Sequence, residues 1–453
     1  MNQLPRPTLR RQANRYMRAA FGVLPKRLRF AAYRHIVDCD PAPSPRLELK
    51  IAETQQELEA CFALLHDAYV SSGFMQPHPS GLRVTPYHAL PTTTTLCAKF
   101  DGQVAGTLSI VREGVFGFPM QSAFELSAVR ASEGRIAEIS ALAVHPNFRR
   151  TGGSILFPLM KFMYEYCTQY FDTRHLVIAV NPNRIELYEA LLMFERLQAQ
   201  AIDRYDFANG APAIGATLDL QTAPQQYMGV YGRRSERRDL HRYFVDTRLP
   251  NIKQPTRNFY TSNDPVLTPA LLDYFFNQRT DVMARLDPRR LHLLHSVYGG
   301  DEWARVLPGP APLGADARSL RQHHRFSMKC PATLEHRVGN VGATQHATLI
   351  ELSLHGFQAR TIRPLAIGTR CTVRVALGEG QHSHVEALLM RHVPSASGHF
   401  NGFRVDCPDA VWRHCVSALA GSDTHADLSR QSPPASPVTT PAASDTLSDL
   451  LVA

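Results

Sequence analysis

Residues 135–161 read RIAEISALAVHPNFRRTGGSILFPLMK, three local signals in a row. Arg135–Val144 is an apolar, β-rich run that predicts a buried strand. The stretch after it holds Pro146, Gly152 and Gly153, the punctuation of a turn. From about Ser154 to Phe171 the apolar spacing is helical, and Pro158 falls early enough to be tolerated. A Gly-rich turn that opens a helix exposes backbone N–H groups that no helical carbonyl satisfies, and the helix dipole adds to their attraction for a phosphate. Glycine lets the backbone come close, and arginine adds charge-assisted bonds. Arg149, Arg150, Thr151, Gly152, Gly153 and Ser154 are therefore a candidate phosphate grip.

Outward from this unit, strand and helix signals alternate. Leu47–Ala52 is a short strand, and Leu58, Cys61, Leu64, Leu65 and Tyr69 give Gln56–Tyr69 a helical stripe. Thr93–Phe100 and Val104–Arg112 flank Asp101-Gly102, a hairpin signal. His175–Val180 is a further strand, and Ile185–Phe194 a helix behind Asn181-Pro182-Asn183. The front half is thus α+β, a hairpin feeding a central strand, turn and helix. Residues 231–312 are mainly helical, with Thr268 as N-cap before Pro269 and a second helix over Pro288–Tyr298. Six short β runs follow: Arg325–Glu335, Ala347–Leu352, Gly356–Ile362, Thr369–Ala376, His384–Arg391 and Gly398–Val405. Such spacing suggests a small barrel. The expected layout is a basic arm over 1–45, an α+β domain over 46–230, a helical connector over 231–312, a barrel over 313–421 and a tail over 422–453 that is disordered by composition.

The charge is uneven. The 49 Lys and Arg exceed the 40 Asp and Glu by nine, and the nine basic residues before Asp38, a stretch without acids, account for the whole excess. A broad nucleic-acid face is not indicated, so no nucleic-acid polymer is expected as partner. Leu9–Phe21 reads as a basic amphipathic helix. It suits peripheral contact with an anionic membrane surface, a solvated arm, or packing on its own domain. No run reaches the roughly 18 apolar residues of a span, and the start lacks the apolar core of a secretory signal. The 8 cysteines are scattered, with no paired metal-ligand spacing. They read as reduced and buried, which places the chain in the cytoplasm, with peripheral contact at the inner membrane an option, and no metal is expected.

Arg149-Arg150-Thr151-Gly152-Gly153-Ser154 resembles motif A of the GNAT acyltransferase superfamily, Arg/Gln-x-x-Gly-x-Gly/Ala, with Ser at the last small position. A narrower resemblance covers about residues 47–225. RVTPYHALPTTTTLCAKFDGQVAGTLSIV (83–111), FGFPMQSAFE (116–125), RIAEISALAV (135–144) and VNPNRIELYEALLMFE (180–195) look like the N-acyl amino acid synthase branch, a relative of the autoinducer synthases. The resemblance implies a GNAT-like mixed sheet with flanking helices. It implies transfer of a long-chain acyl group from an acyl carrier protein's phosphopantetheine, or from acyl-CoA, to the amine of an amino acid. Arg184 stands where that branch usually has His. By chemistry, Glu138 on the central strand is a candidate acceptor of the ammonium proton, and its bland alternative is a salt-bridged strand residue. Tyr188 sits where GNAT enzymes often place a general acid, and its bland alternative is core packing. The amides of Leu142–Val144 can polarise a thioester carbonyl. Tyr69 and the loop Ser71–Leu90 are expected to shape the pocket. The arginines between Arg233 and Arg242 form either a solvated face or a dock for an acidic carrier protein.

Arg321-Gln-His-His-Arg325 lies shortly before Glu351-Leu-Ser353-Leu-His-Gly356. The pair resembles the Arg-x-x-x-Arg and Asp/Asn-x-Ser-x-x-Gly motifs of the PilZ domain, a receptor for cyclic di-GMP, and the resemblance spans about residues 318–420. Arginine offers a planar fork to phosphate or to a guanine edge. Ser353 can donate to phosphate, Gly356 permits a sharp turn, and Glu351 takes the guanine-accepting position with a side chain one methylene longer. The expected ligand set is Arg321, Arg325, Glu351, Ser353 and Gly356. Two functions from different classes stay open: a cyclic di-GMP-binding N-acyltransferase, or a cyclic di-GMP-responsive binding protein whose front domain is not catalytic.

Overall fold

The hairpin at Asp101-Gly102 forms because both turn residues take positive φ, 50° and 80°, as a two-residue connection between twisted strands requires. It joins β2 (Thr93–Phe100) to β3 (Gln103–Arg112); β1 (Leu47–Ile51) lies beside β2, and β4 (Arg135–Val144) beside β3. The computed structural model describes residues 23–420 except 133, 150, 172, 256–266, 299–300, 310–324, 339–340, 379 and 396–397. The expected helix at Leu9–Phe21, the tail at 422–453, and Arg150 and Arg321 lie outside the described residues.

Beyond β4 the sheet continues with β5 (Thr173–Val180), bonded in parallel, and β8 (Ala211–Asp219), bonded antiparallel to β5. Two short strands, β6 (Glu195–Arg196) and β7 (Ile202–Tyr205), pair with the other side of β8. The order is β1-β2-β3-β4-β5-β8-β6, a mixed sheet with flanking helices, as the sequence implies. β8 goes beyond the sequence reading. Pro212, Gly215 and three alanines remove its β-rich signature, and Gly215 is needed because a Cβ there would lie 2.7 Å from Phe124.

The basic helix α1 (Lys26–His35) packs on its own domain rather than standing free. Arg29 forks onto Glu186, Lys26 reaches Glu189, and Arg34 donates to the Ala190 carbonyl. Helix α2 (Gln55–Ser71) starts at Thr54 in a reciprocal cap with Glu57. The Glu57 carboxylate also takes Lys50 and Lys99 at 2.8 Å each. Burial would raise its pKa, but these ammonium partners outweigh burial and hold it down to about 2. Behind the sheet lies α3 (Leu156–Glu165), extended by a π-helical turn over Tyr166–Tyr170.

Among the described residues, beside a smaller separate cluster around Phe118, Val177 and Tyr205, a large apolar core reaches from Val37 to Leu307. The helical residues after Tyr231 belong to it: Phe275 packs edge-on against Phe62, and the Tyr298 hydroxyl donates to the Ala89 carbonyl.

All six β runs at the C-terminal end appear as strands: β9 (Phe326–Val338), β10 (Val341–Ser353), β11 (Gly356–Thr361), β12 (Arg370–Gly378), β13 (Gln381–Ser395) and β14 (Gly398–Val405). They close into an antiparallel barrel in the order β10-β11-β14-β13-β12-β9. β12 shows the alternation that fills it, with Cys371, Val373 and Val375 inward and Thr372 and Arg374 outward. A terminal helix, Ala410–Ala420, buries Trp412 completely against Phe357 and ties its indole N–H to the Ser353 carbonyl at 3.0 Å. The barrel touches the mixed sheet through Arg135, whose guanidinium donates to the carbonyls of Met328 (3.4 Å) and Ile350 (3.3 Å).

Candidate functional site

Strands β4 and β5 are bonded from Arg135↔Thr173 to Glu138↔Val177, and no further. Both continue, β4 to Val144 and β5 to Val180. Two parallel strands that stop pairing while still running forward splay, and the wedge between them opens a cavity. Its empty volume, mouth included, is ≈ 1030 Å³. Ile139–Leu142 wall it on one side and Ile178–Asn181 on the other, and Met160 and Met163 of α3 add to its apolar lining. Such a slot, apolar with a few convergent polar groups, has the character of a ligand site.

Glu138 stands at the apex of the wedge and lines the cavity, 2% exposed. Its carboxylate accepts the Met120 backbone N–H at 2.9 Å. Burial lifts its pKa to about 8, and the Met120 bond opposes the lift only in part. The expected alternative of a salt-bridged strand residue does not describe it, since its hydrogen-bond partner is a backbone amide. A carboxyl tuned into this range matches an ammonium group, the condition for efficient proton exchange.

Tyr188 lines the same cavity from α4 (Pro182–Leu192), one turn after Arg184. Burial pushes its pKa up to about 12 although Arg184 pulls the other way, so the phenol keeps its proton at neutral pH. Tyr69 lines the cavity too, as does Phe74 from the loop expected to shape it. Tyr205 and Phe207, on and just after β7, close the remaining side. The sequence reading missed both because β7 and β8 lack strand signals.

The wedge has a second cause. Opposite Thr107 and Ser109 stand Ala143 and Ser140, so Ala141 and Leu142 together face Leu108 in a β-bulge. Ala141 has φ 56°, costly for a residue with a Cβ. Bulges re-aim backbone groups beside sites, and this one lies in the cavity wall, next to the amides of Leu142–Val144.

The Gly-rich loop follows directly from the free end of β4 and is not itself part of the cavity wall. Gly152 and Gly153 take φ of 67° and 88°, and a Cβ on Gly153 would meet Phe157 at 2.6 Å. Arg149 donates from Nε to the Val144 carbonyl at 2.8 Å, bracing the loop against the strand end. The Thr151 and Ser154 hydroxyls share a 2.6 Å hydrogen bond. Asp38 approaches Gly152 and is paired with Arg237 at 2.6 Å, so the arginine run of 233–242 borders this loop.

On the barrel, Arg325 reaches Glu351 at 3.2 Å from the start of β9, both partly exposed. Ser353 is 7% exposed and donates its hydroxyl to the Gly356 carbonyl at 2.9 Å across the β10–β11 turn. Gly356 permits the closest backbone approach in this turn, since a Cβ would lie 2.6 Å from the Phe403 carbonyl. Four of the five expected residues thus gather at one barrel end; Arg321 lies outside the described residues.

Residues 60–219 match the family described as N-acyl amino acid synthase FeeM, and residues 319–415 match the PilZ domain. No curated protein matches the chain. Among solved structures, FeeM, an N-acyl amino acid synthase from uncultured soil microbes, is 25% identical over 40% of this chain and 96% of its own, with TM-score 0.34. BjaI, a CoA-dependent acyl-homoserine lactone synthase, is 20% identical over 46% of this chain and 93% of its own, with TM-score 0.33. The PilZ domain of YcgR from Escherichia coli, solved with c-di-GMP, is 22% identical over 23% of this chain and 93% of its own, with TM-score 0.19. The chain joins an N-acyltransferase domain of the N-acyl amino acid synthase FeeM family to a C-terminal PilZ domain.

Proposed function

We propose that this protein moves a long-chain acyl group from a thioester, carried on an acyl carrier protein's phosphopantetheine or on CoA, to the amine of an amino acid, and that its barrel binds cyclic di-GMP. The observation that carries the first half is Glu138 at the apex of the β4–β5 wedge, buried and tuned to about 8, with Tyr188 on the same cavity. Arg149, Arg150, Thr151, Gly152, Gly153 and Ser154 would hold the donor's phosphate. Glu138 takes one proton from the acceptor's ammonium. The freed lone pair forms the C–N bond at the thioester carbonyl carbon, the oxygen carries the charge beside the bulge amides, and collapse breaks C–S. The Tyr188 phenol protonates the leaving thiolate, one of the two protons left on nitrogen passes through solvent to the phenolate, and Glu138 gives its proton to solvent.

Arg325 and Glu351, paired across the barrel end, support the second half: a guanine edge and a phosphate complement an acceptor and a fork. Arg321 would add a second fork. Arg135 holds the Ile350 carbonyl, one residue before Glu351, and lies three residues before Glu138 on β4. Messenger binding at Glu351 therefore has a short route to the catalytic strand.

The test is thiol release from an acyl carrier protein thioester, with and without amino acids, using the full chain. Release that depends on the amino acid, and falls in Glu138→Gln, supports the reading. Cyclic di-GMP binding with no amino-acid-dependent release would leave only a binding protein.

A further inference from the structure

Every neighbouring pair of strands in the closed barrel is antiparallel, so strand direction alternates around the ring β10-β11-β14-β13-β12-β9. The β10–β11 and β12–β13 turns therefore share one end, the end of Ser353 and Gly356. The β9–β10, β11–β12 and β13–β14 connections share the other. Among the described residues, the barrel's large exposed apolar side chains all sit on or beside those three connections: Val341, Ile362, Ile367, Met390 and Val393. Ile362 is 83% and Ile367 67% exposed. Neither is exposed for want of local order, because the β11–β12 connection is braced from within. Leu365 is buried beneath it and its carbonyl accepts from His392 Nδ1 at 3.1 Å. Gly368 and Thr369 share backbone hydrogen bonds with Leu389 at 2.8 and 2.9 Å. At the base, the Thr361 hydroxyl donates to the Arg363 carbonyl and accepts from Asn401.

Charge divides the same way. Residues 336–346, 361–370 and 388–400, which build this end, contain no Asp or Glu, and they present exposed Arg337, Arg363, Arg370 and Arg391. The next acids along the strands are engaged: Glu335 with Arg374, and Glu386 with the Thr372 hydroxyl. Aliphatic side chains held out among arginines, with no acid beside them, complement a surface that offers negative charge over an apolar layer. A second copy of the chain complements them poorly, since a two-fold contact through this face sets arginine against arginine. We infer that this end of the barrel docks on an anionic membrane surface, with Ile362 and Ile367 entering the headgroup boundary and the arginines meeting lipid phosphates. The opposite end, with Arg325 and Glu351, stays clear for a ligand. The inference goes beyond acyl transfer and messenger binding and depends on neither.

The experiment sediments the full chain with phosphatidylcholine vesicles, with and without phosphatidylglycerol. Wild type is expected to bind the vesicles that contain phosphatidylglycerol and to lose binding as salt rises. Ile362→Ser with Ile367→Ser should weaken binding by roughly 10-fold or more. Arg363→Gln with Arg391→Gln should do so by a similar factor. All four side chains are exposed, so neither pair should lower the Tm. A second readout locates the contact. The native tryptophans, Trp303 and Trp412, are buried, so Ile367→Trp adds an exposed reporter on the loop. Its emission should shift to the blue on phosphatidylglycerol vesicles and be quenched by brominated lipid. Vesicle binding unchanged in the isoleucine pair, or a tryptophan at position 367 that stays unquenched, would overturn the inference and assign binding to another part of the chain. No binding by wild type would overturn it too. So would wild-type self-association in sedimentation velocity that the isoleucine pair abolishes, which would give the face to a second copy.

Discussion

The Glu138 carboxylate accepts the backbone N–H of Met120 at 2.9 Å, on the last residue at which β4 is bonded to β5. That bond holds a buried acid at the apex of an opening wedge. Its raised pKa sets both a rate and a stability signature.

For the rate, kcat/KM is expected to rise as pH climbs through about 8 and to level above it. Glu138→Gln should lower it by roughly 100-fold or more and flatten the profile. A pH–rate series on both proteins checks this.

For stability, the carboxyl of the unfolded chain ionises near its ordinary value of 4.5 and the folded one near 8. Between those values the folded state holds the extra proton, so wild-type stability falls as pH rises, by up to roughly 4 kcal/mol. Glu138→Gln should lack this fall. Urea midpoints at pH 5 and pH 9 give the comparison.

Glu57 carries the opposite sign. Its folded pKa of about 2 lies below the ordinary 4.5, so its contribution is fully present above pH 4.5 and is lost as pH falls toward 2. Glu57→Gln leaves Lys50 and Lys99 without their shared carboxylate and should cost about 3 kcal/mol at pH 7. Denaturation at pH 7 and pH 3 should show the gap closing at the lower pH.

The two loop glycines should separate. Gly152→Ala meets only backbone strain at φ 67°, whereas Gly153→Ala adds a contact at 2.6 Å with the buried Phe157. Gly152→Ala should cost about 1 kcal/mol and Gly153→Ala about 2–3 kcal/mol. Melting curves of the two variants check the ranking.

Arg325→Ala should weaken cyclic di-GMP binding by at least roughly 10-fold. Arg135→Ala should keep binding within about 2-fold and remove any effect of the messenger on turnover, since it breaks the bonds to Met328 and Ile350. Calorimetry and turnover with and without ligand distinguish the two.

Much of this was legible in the chain because the signals are local. RIAEISALAV is a mostly apolar, β-rich run around Glu138, and Asp101-Gly102 names its own turn. Arg325 and Glu351 were legible as a spaced pair, and the β9–β10 hairpin that brings them together follows from two β runs in succession. Ala141 was not legible: alanine gives no hint of positive φ, and the bulge is set by register against β3. Tyr205 and Phe207 were hidden because β8, which holds their hairpin, is built on Pro212, Gly215 and alanines. The raised pKa of Glu138 was beyond sequence for the same kind of reason. It comes from burial supplied by segments far apart in the chain.

The most direct test is a single-turnover reaction of the full chain with a long-chain acyl carrier protein thioester and an amino acid, following free thiol and N-acyl product together. One N-acyl amino acid per thiol released, lost in Glu138→Gln, is the predicted result. Thiol release with free fatty acid as the sole product, or an unchanged rate in Glu138→Gln, would contradict the assignment of the β4–β5 wedge as the acyl-transfer site.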